Sequence, residues 1–227
     1  MIDLFILKVI ISFIIGGIWI ALLSILSEKF GTKIGGAIAG IPATMIMTLL
    51  FIGITQNART AAQSTTLVPL VLGINALFVI AYIIFSRINF YLGLFSALIL
   101  WLVCSSLLVL FKINSFKLSI LVYFLLILLA LLIIKRLKIS SEKAIKIKYK
   151  WHNILIRCTI GGLVISTAVI MTKISGPLIG GIFAAFPALT IALILTVHFN
   201  YGQRFTESLL KHFIIAGKIN VLVYIII

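Results

Sequence analysis

A few polar residues lie inside long apolar stretches of this 227-residue chain, where their chemistry could serve ligand binding. Asn75 and Asn220 carry amides that both donate and accept hydrogen bonds, which suits a neutral or zwitterionic substrate. Lys218 could bind an anionic group or exchange a proton. A polar side chain at membrane depth is costly and is therefore a candidate for function. The alternatives are an interhelical hydrogen bond for each asparagine and, for the lysine, a side chain that extends to the membrane surface.

Two matching phrases, GGAIAGIPA at 35–43 and GGIFAAFPA at 180–188, place a proline inside an apolar stretch. A proline in a helix removes one hydrogen bond and leaves the carbonyl four residues earlier without its donor. In hydrocarbon, that carbonyl must find another partner or line a wet cavity. We therefore expect Pro42 and Pro187 to bend two helices around a cavity near the middle of the membrane.

The residues around these prolines are further candidates for a substrate cavity. Thr44 and Thr190 follow the prolines within one turn, so their hydroxyls could satisfy the freed carbonyls or contact a substrate. The glycines of the two phrases either line the cavity or allow helices to pack closely. These glycines are Gly35, Gly36, Gly180 and Gly181. No metal-site spacing, cofactor loop or catalytic triad accompanies them, so we expect no metal, no cofactor and no enzyme activity.

The composition predicts a membrane protein built of helices. Hydrophobic residues make up 63% of the chain and charged residues 10%, with a mean hydropathy of +1.34. The apolar runs are about 20 residues long, which suits membrane-spanning helices and is twice the length of a barrel strand. We expect an all-α, polytopic transmembrane bundle with about eight helices. Their expected positions are 4–27, 34–55, 67–86, 90–111, 116–135, 153–172, 177–198 and 207 to the last residue.

An internal repeat relates two parts of the chain at a shift of 145 residues. Between 15–50 and 160–195, 14 of 36 positions are identical, and Pro42 falls on Pro187. The repeating unit contains five expected helices, and an odd number makes consecutive units enter the membrane from opposite sides. We therefore expect an inverted repeat with a pseudo-two-fold axis in the membrane plane, an arrangement typical of secondary transporters.

The repeat and the charges divide the chain into three parts. Residues 1–135 form the first five-helix repeat, 136–152 a basic loop, and 153–227 a second repeat that lacks two helices of an expected ten-helix parent. The net charge is +15, and the basic loop is the densest in lysine and arginine, which places it in the cytoplasm and the N-terminus outside a plasma membrane. The expected partners are the lipid bilayer, anionic lipids at the basic loop, a small-molecule substrate and a second copy of the chain, but no nucleic acid.

The acidic residues argue against one common transport mechanism. They are Asp3, Glu28, Glu142 and Glu207, and none is expected near the centre of a helix. A mechanism coupled through a carboxylate deep in the membrane is therefore not expected. The repeat and the prolines predict a secondary transporter that moves a small neutral or anionic metabolite by alternating access. A channel, a lipid-handling protein and a membrane scaffold without transport are the alternatives.

The five-plus-five array of short, weakly charged helices resembles the drug/metabolite transporter superfamily. The stretch FAAFPALTIALIL at 183–195 also resembles the helix of small GlpM-like membrane proteins. The first resemblance implies alternating access and a central cavity lined by both halves. The small multidrug members of that superfamily bind cationic drugs through a glutamate within their first helix. Here the first helix has only Glu28, at its end, so the resemblance does not extend to cationic-drug efflux.

Overall fold

The protein is a helical bundle, as its composition predicted. The structure, a computed structural model, describes residues 4–140, 142 and 151–226, with side chains described as far as Gly217. Within these residues the chain forms ten helices and no strand. The helices are α1 (Leu4–Lys29), α2 (Gly31–Gly40), α3 (Ala43–Thr55), α4 (Ala58–Ser64), α5 (Val68–Ser86), α6 (Phe90–Leu110), α7 (Phe116–Arg136), α8 (Trp151–Ser175), α9 (Pro177–Ala184) and α10 (Ala188–Ile226).

Seven stretches of the described chain are long and apolar enough to cross a bilayer, so this is a multi-pass membrane protein in contact with lipid. The last stretch, Pro177–Gly217, has 41 residues, about twice the length that one crossing needs. Gly202 interrupts it with a φ of 81° and a ψ of 175°. After this bend α10 runs beside α2, where Leu209 lies against Gly36. The chain therefore follows the eight-helix path that the sequence predicted.

Two of the expected helices are each divided into two half-helices. The region predicted as 34–55 forms α2 and α3, and the region predicted as 177–198 forms α9 and the start of α10. Pro42 and Pro187 each stand between the two half-helices. The expectation of two bent helices was therefore incomplete, because each proline ends the regular hydrogen bonding and a new helix begins after it.

A short helix also lies in 56–66, which was expected to be a polar link. α4 begins there because the side chain of Asn57 accepts a hydrogen bond from the backbone N–H of Thr60 at 2.8 Å. The sequence pattern did not indicate this helix, since seven polar and small residues carry no apolar periodicity.

The most extensive packing between the two repeated parts is that of α1 on α8, and these helices are antiparallel. At one end the Lys173 ammonium lies 3.6 Å from the ring centroid of Phe5, a cation–π contact. At the other end Arg157 pairs with Glu28. α1 therefore begins on the face of the bundle where α8 ends. We call the face where α8 begins the basic face, because residues 136–152 precede it in the chain.

The middle of this helix pair is packed through glycines in a reciprocal way. The backbone of Gly16 lies against the side chain of Ile165, and the backbone of Gly161 lies against that of Ile20. A shift of 145 residues exchanges the two contacts, because 16 becomes 161 and 20 becomes 165. The two contacts are therefore equivalent in the sequence repeat.

α5 is the most enclosed of the membrane spans and forms the centre of the bundle. Phe78 and Tyr82 on this helix are completely buried. In contrast, α6 and α7 expose leucines such as Leu102 and Leu125, which face the lipid in a bilayer. α5 therefore provides a rigid support for the residues that it carries to the middle of the protein, among them Asn75.

Candidate functional site

The inner ends of the four half-helices meet at a small cavity. Its volume is about 40 Å³, enough for a few water molecules. Both halves of the chain contribute to it through the two interrupted phrases. The lining includes Ala39, Ile41, Pro42, Ala43, Thr44, Asn75, Ala184, Ala185, Phe186, Pro187 and Thr190. The structure thus brings together five residues that the sequence predicted for a cavity, namely Pro42, Thr44, Asn75, Pro187 and Thr190.

Both prolines sit in tight turns of the same kind. Pro42 has a φ of −75° and a ψ of 53°, and the Ala43 N–H donates to the Ile41 carbonyl at 2.7 Å, which is an inverse γ-turn. At the equivalent place the Ala188 N–H donates to the Phe186 carbonyl at 2.8 Å. The same turn therefore joins the half-helices in both parts of the chain.

The carbonyls that the prolines leave without helical donors are satisfied by the backbone. The Ile38 carbonyl accepts from the Ile41 N–H at 3.1 Å, and the Phe183 carbonyl accepts from the Phe186 N–H at 3.1 Å. A tighter last turn of this kind is a common way to satisfy the end of a helix. These two carbonyls therefore have donors without the threonine hydroxyls that were considered for this role.

Thr44 and Thr190 lie in the first turns of α3 and α10, at the edge of the cavity. Both are buried, with 7% and 3% of their surface exposed. The first N–H groups of a helix have no helical acceptor, and the helix dipole adds a partial positive charge at that end. Two helix N-termini directed toward one cavity favour a ligand that carries hydrogen-bond acceptors or negative charge.

Asn75 connects three helices beside the cavity. Its side-chain nitrogen donates to the Ala185 carbonyl at 2.8 Å, and its side-chain oxygen accepts from the Trp101 ring N–H at 2.8 Å. The Trp101 ring in turn packs edge-on against Phe186, with centroids 4.8 Å apart. Asn75 therefore satisfies a carbonyl at the end of α9, and an amide with two donors keeps a second N–H for a ligand.

The four glycines of the repeated phrases are places of close packing. A side chain on Gly35 would overlap the Ser27 carbonyl, and one on Gly36 would overlap the Leu209 carbonyl. In the second half, Gly180 is equally close to Thr172, and Gly181 is equally close to the Ser64 carbonyl. These contacts are again 145 residues apart in the chain, and they favour the packing interpretation of all four glycines.

Two of the residues predicted to bind substrate have no described side chain. Lys218 and Asn220 lie outside the residues whose side chains the structure describes. Both therefore stay predictions.

A buried charged cluster near the basic face was not predicted from the sequence. Glu28 and Arg157 are each only 1% exposed and form an ion pair through the arginine Nη2. The same Nη2 donates to the Thr196 hydroxyl oxygen at 2.6 Å, and this hydroxyl donates to the Ala192 carbonyl at 2.7 Å. Glu28 is at the end of α1, as expected, but the packing of α8 and α10 around it removes it from solvent. The sequence pattern placed Glu28 correctly but did not indicate that it would be buried.

The cluster satisfies Arg157 only partly. Its Nε and Nη1 have no hydrogen-bond partner within the described part of the chain. A buried donor without an acceptor costs about 1–3 kcal/mol, and more when it belongs to a charged group. One signal could have found the cluster, because a charged residue inside an expected helix, here 153–172, marks a functional or tightly paired position.

A second ion pair lies at the basic face and is much more exposed. The Arg87 Nε and Nη2 donate to both carboxylate oxygens of Glu207, at 3.2 and 2.9 Å. Gln203 donates to the same carboxylate at 2.7 Å. The hydrogen bonds to Glu207 raise the pKa of Arg87 above its ordinary value, so the pair stays charged. It connects the end of α5 to α10.

Comparison with known proteins gives one family. A family model described as "Protein of unknown function (DUF3147)" matches residues 9–116 and 154–227. The second range begins 145 residues after the first, since 154 − 9 = 145, which equals the shift of the internal repeat. No curated protein and no solved structure matches the chain.

Proposed function

The chain belongs to the DUF3147 family, and we propose that it is a secondary transporter that moves a small neutral or anionic metabolite by alternating access. One observation carries the proposal: two broken helices, at repeat-equivalent positions, point their inner ends at one cavity in the middle of the bundle. Interrupted helices in corresponding positions of two halves are the best sequence indication of a transport site.

The helix directions support an inverted repeat. α1 and α8 are equivalent in the repeat, and they are antiparallel, as the contacts Phe5–Lys173 and Glu28–Arg157 require. If both cross the bilayer, the two units cross it in opposite directions, and the axis that relates them lies in the membrane plane. The resemblance to the drug/metabolite transporter superfamily remains a prediction.

The site chemistry supports a neutral or anionic substrate. The cavity receives the N-terminal ends of α3 and α10 and the amide of Asn75, and no acidic residue is among its lining residues. Thr44 and Thr190 supply hydroxyls at its edge. At about 40 Å³ the cavity must widen to accept a metabolite, so substrate binding selects a second conformation of the half-helices.

The orientation in the membrane follows from charge. Residues 136–152 are the densest in basic residues, so we place the basic face in the cytoplasm of a plasma membrane, next to anionic lipids. α1 begins on the opposite face, which places the N-terminus outside. We also propose that two copies of the chain form a homodimer.

A non-transporting membrane scaffold is the second candidate, and the glycine packing favours it. Gly35, Gly36, Gly180 and Gly181 are all in close packing contact, and the cavity has room for only a few waters. A channel or a lipid-handling protein built on the same repeat is a further alternative.

Transport by purified full-length protein tests the proposal. A thermal-shift screen of neutral and anionic metabolites selects ligands, and the uptake of each hit is then measured in proteoliposomes. We expect saturable uptake that Pro187→Ala slows at least tenfold without reducing the amount of folded protein. Pro69→Ala is the control, because Pro69 is at the start of α5 and leaves the broken helices unchanged. The absence of uptake for every hit would favour a scaffold, and wild-type uptake by Pro187→Ala would rule out a role for the break.

A further inference from the structure

The two faces of the bundle differ at equivalent places. On the face opposite the basic face, a pocket of about 410 Å³ opens between the end of α4, the α6–α7 link and the α8–α9 link. Its walls include Gln63, Thr66, Asn114, Ser175 and Pro177. An adjoining pocket of about 340 Å³ shares Asn114 and Ser175 with it, so the two form one entrance. We call it the open vestibule.

The internal repeat gives the positions that correspond to this vestibule on the basic face. A shift of 145 residues, forward for Gln63 and Thr66 and backward for Pro177, relates three of its wall residues to three polar residues of α10 and α2. The pairs are Gln63 with Ser208, Thr66 with Lys211, and Pro177 with Thr32. Two sides of the vestibule, the end of α4 and the α8–α9 link, therefore have counterparts on the basic face in α10 and α2.

On the basic face this place is occupied by Ile139 and Glu142, two described residues that follow α7. The Lys211 ammonium donates to the Ile139 carbonyl at 2.6 Å. The Thr32 hydroxyl donates to the Glu142 carbonyl at 2.6 Å, and the Glu142 N–H donates to the Ser208 hydroxyl oxygen at 3.0 Å. The Ser208 hydroxyl donates to the Thr32 oxygen at 2.9 Å and completes a ring of hydrogen bonds. All three equivalents of the vestibule wall residues thus hold this segment.

Burial shows the same difference. Ser208 and Thr32 are 0% and 1% exposed, and Ile139 is buried in the hydrophobic core. On the other face Gln63, the equivalent of Ser208, is exposed, and Pro177, the equivalent of Thr32, is half-buried. Pro177 offers no hydroxyl where Thr32 has one, so the open vestibule lacks the anchor that holds Glu142 on the basic face.

From this difference we infer that the open vestibule is the entry site for a polar, neutral or anionic solute, and that Ile139 and Glu142 close the equivalent entrance on the basic face. The inference rests on the proposed transport function and adds the route of access to it. The vestibule suits such a solute because Gln63, Thr66, Asn114 and Ser175 offer neutral polar groups. The closure is held by hydrogen bonds and apolar packing, so it can open and close reversibly.

Thiol labelling of matched positions tests the inference without any substrate. Cys104→Ala and Cys158→Ala remove the native thiols. Gln63→Cys and its equivalent Ser208→Cys are then labelled with a water-soluble maleimide on full-length protein in nanodiscs, where both faces are accessible. We expect Ser208→Cys to react at least tenfold more slowly than Gln63→Cys. Equal rates would overturn the inference.

Opening the closure provides the second measurement. Ile139→Ala with Glu142→Pro removes a buried side chain and the N–H that Ser208 accepts, whereas Ile139→Val with Glu142→Ala keeps both the packing and the backbone donor. We expect the first pair to raise labelling of Ser208→Cys at least fivefold and the control pair to leave it unchanged, with no effect of either on Gln63→Cys. Unchanged labelling in a folded first pair would contradict the closure.

A cross-link covers the case in which the first pair fails to fold. In the same cysteine-free background, a short bismaleimide cross-linker should join Glu142→Cys to Ser208→Cys, because the Glu142 backbone nitrogen lies 3.0 Å from the Ser208 hydroxyl oxygen. The absence of this cross-link would overturn the closure. The transport function and the closure fail separately in these experiments. Slow labelling without uptake would retain the closure and reject transport, whereas uptake with equal labelling would reject only the closure.

Discussion

Breaking the buried Glu28–Arg157 pair should destabilise the protein more than any change to its surface charges. Glu28→Gln leaves the Arg157 charge without a partner at a site that is 1% exposed, and Arg157→Met leaves the carboxylate in the same position. Removal of one partner of a buried pair costs about 3–5 kcal/mol. We expect the upper part of this range for Glu28→Gln, because the Nε and Nη1 of Arg157 already lack partners within the described residues.

The double variant separates charge burial from lost packing. Glu28→Gln with Arg157→Met leaves no net charge at the site, so we expect it to cost less than the sum of the single changes by at least about 2 kcal/mol. The measurement is the free energy of unfolding of the purified full-length protein in mixed micelles, for the two single variants and the double variant. Arg87→Met is the control, because the Arg87 side chain is 42% exposed and such a pair is worth only about 0.2–1 kcal/mol.

Two results would refute this reasoning. One is a loss below about 1 kcal/mol for both single variants, which would mean that water or another charge compensates the pair. The other is additivity of the two changes within about 0.5 kcal/mol, which would mean that the two charges do not act on each other.

Four further substitutions, in the candidate site, in the repeated phrases and in the α8–α9 link, are tested by thermal unfolding of the purified protein. Gly35→Ala and Gly180→Ala should each lower the unfolding temperature or prevent accumulation of the folded protein. Gly53→Ala is the control and should be neutral or stabilising, because its new Cβ would meet only an ordinary contact at 3.8 Å. Equal effects of the three changes would contradict the close-packing role. Asn75→Leu should lose about 1–3 kcal/mol and shift the Trp101 fluorescence, because the Ala185 carbonyl and the Trp101 N–H both lose their partner; an unchanged spectrum would contradict this. Gly176→Ala should cost about 1–3 kcal/mol from the backbone alone, because a φ of 90° with a ψ of 171° is essentially restricted to glycine and no atom lies within 4 Å of the added carbon. An unfolding temperature equal to that of the wild type would contradict this.

Features that depend on local pattern were predicted from the sequence. Apolar runs of membrane length predicted the helices, and the 145-residue repeat predicted that Pro42 and Pro187 occupy equivalent places. The complete break at these prolines was not predicted, because it depends on the backbone turn that follows Ile41 and Phe186. A proline inside an apolar stretch is compatible with a bent helix and with a divided helix, so the sequence does not distinguish the two.

Features that depend on docking were not predicted. Glu28 and Arg157 are 129 residues apart, and only the antiparallel packing of α1 on α8 brings them together. The contacts of Asn75 with Ala185 and Trp101 likewise come from the arrangement of α5, α6 and α9. A single sequence shows that such polar residues need partners, but it does not show which partner each of them finds.

The reciprocal glycine contact between α1 and α8 has a mechanical consequence. Gly16 and Gly161 let α1 and α8 approach closely at their crossing, where each glycine is covered by an isoleucine of the other helix. Sliding or separation would break these contacts, whereas a tilt of one helix about the crossing would keep them. Gly16 is 12 residues from Leu4, or about 18 Å along the 26-residue helix, so the crossing lies near the middle of α1. A tilt of about 10° then displaces each tip by about 3 Å in opposite senses, which is roughly the diameter of a water molecule at either surface.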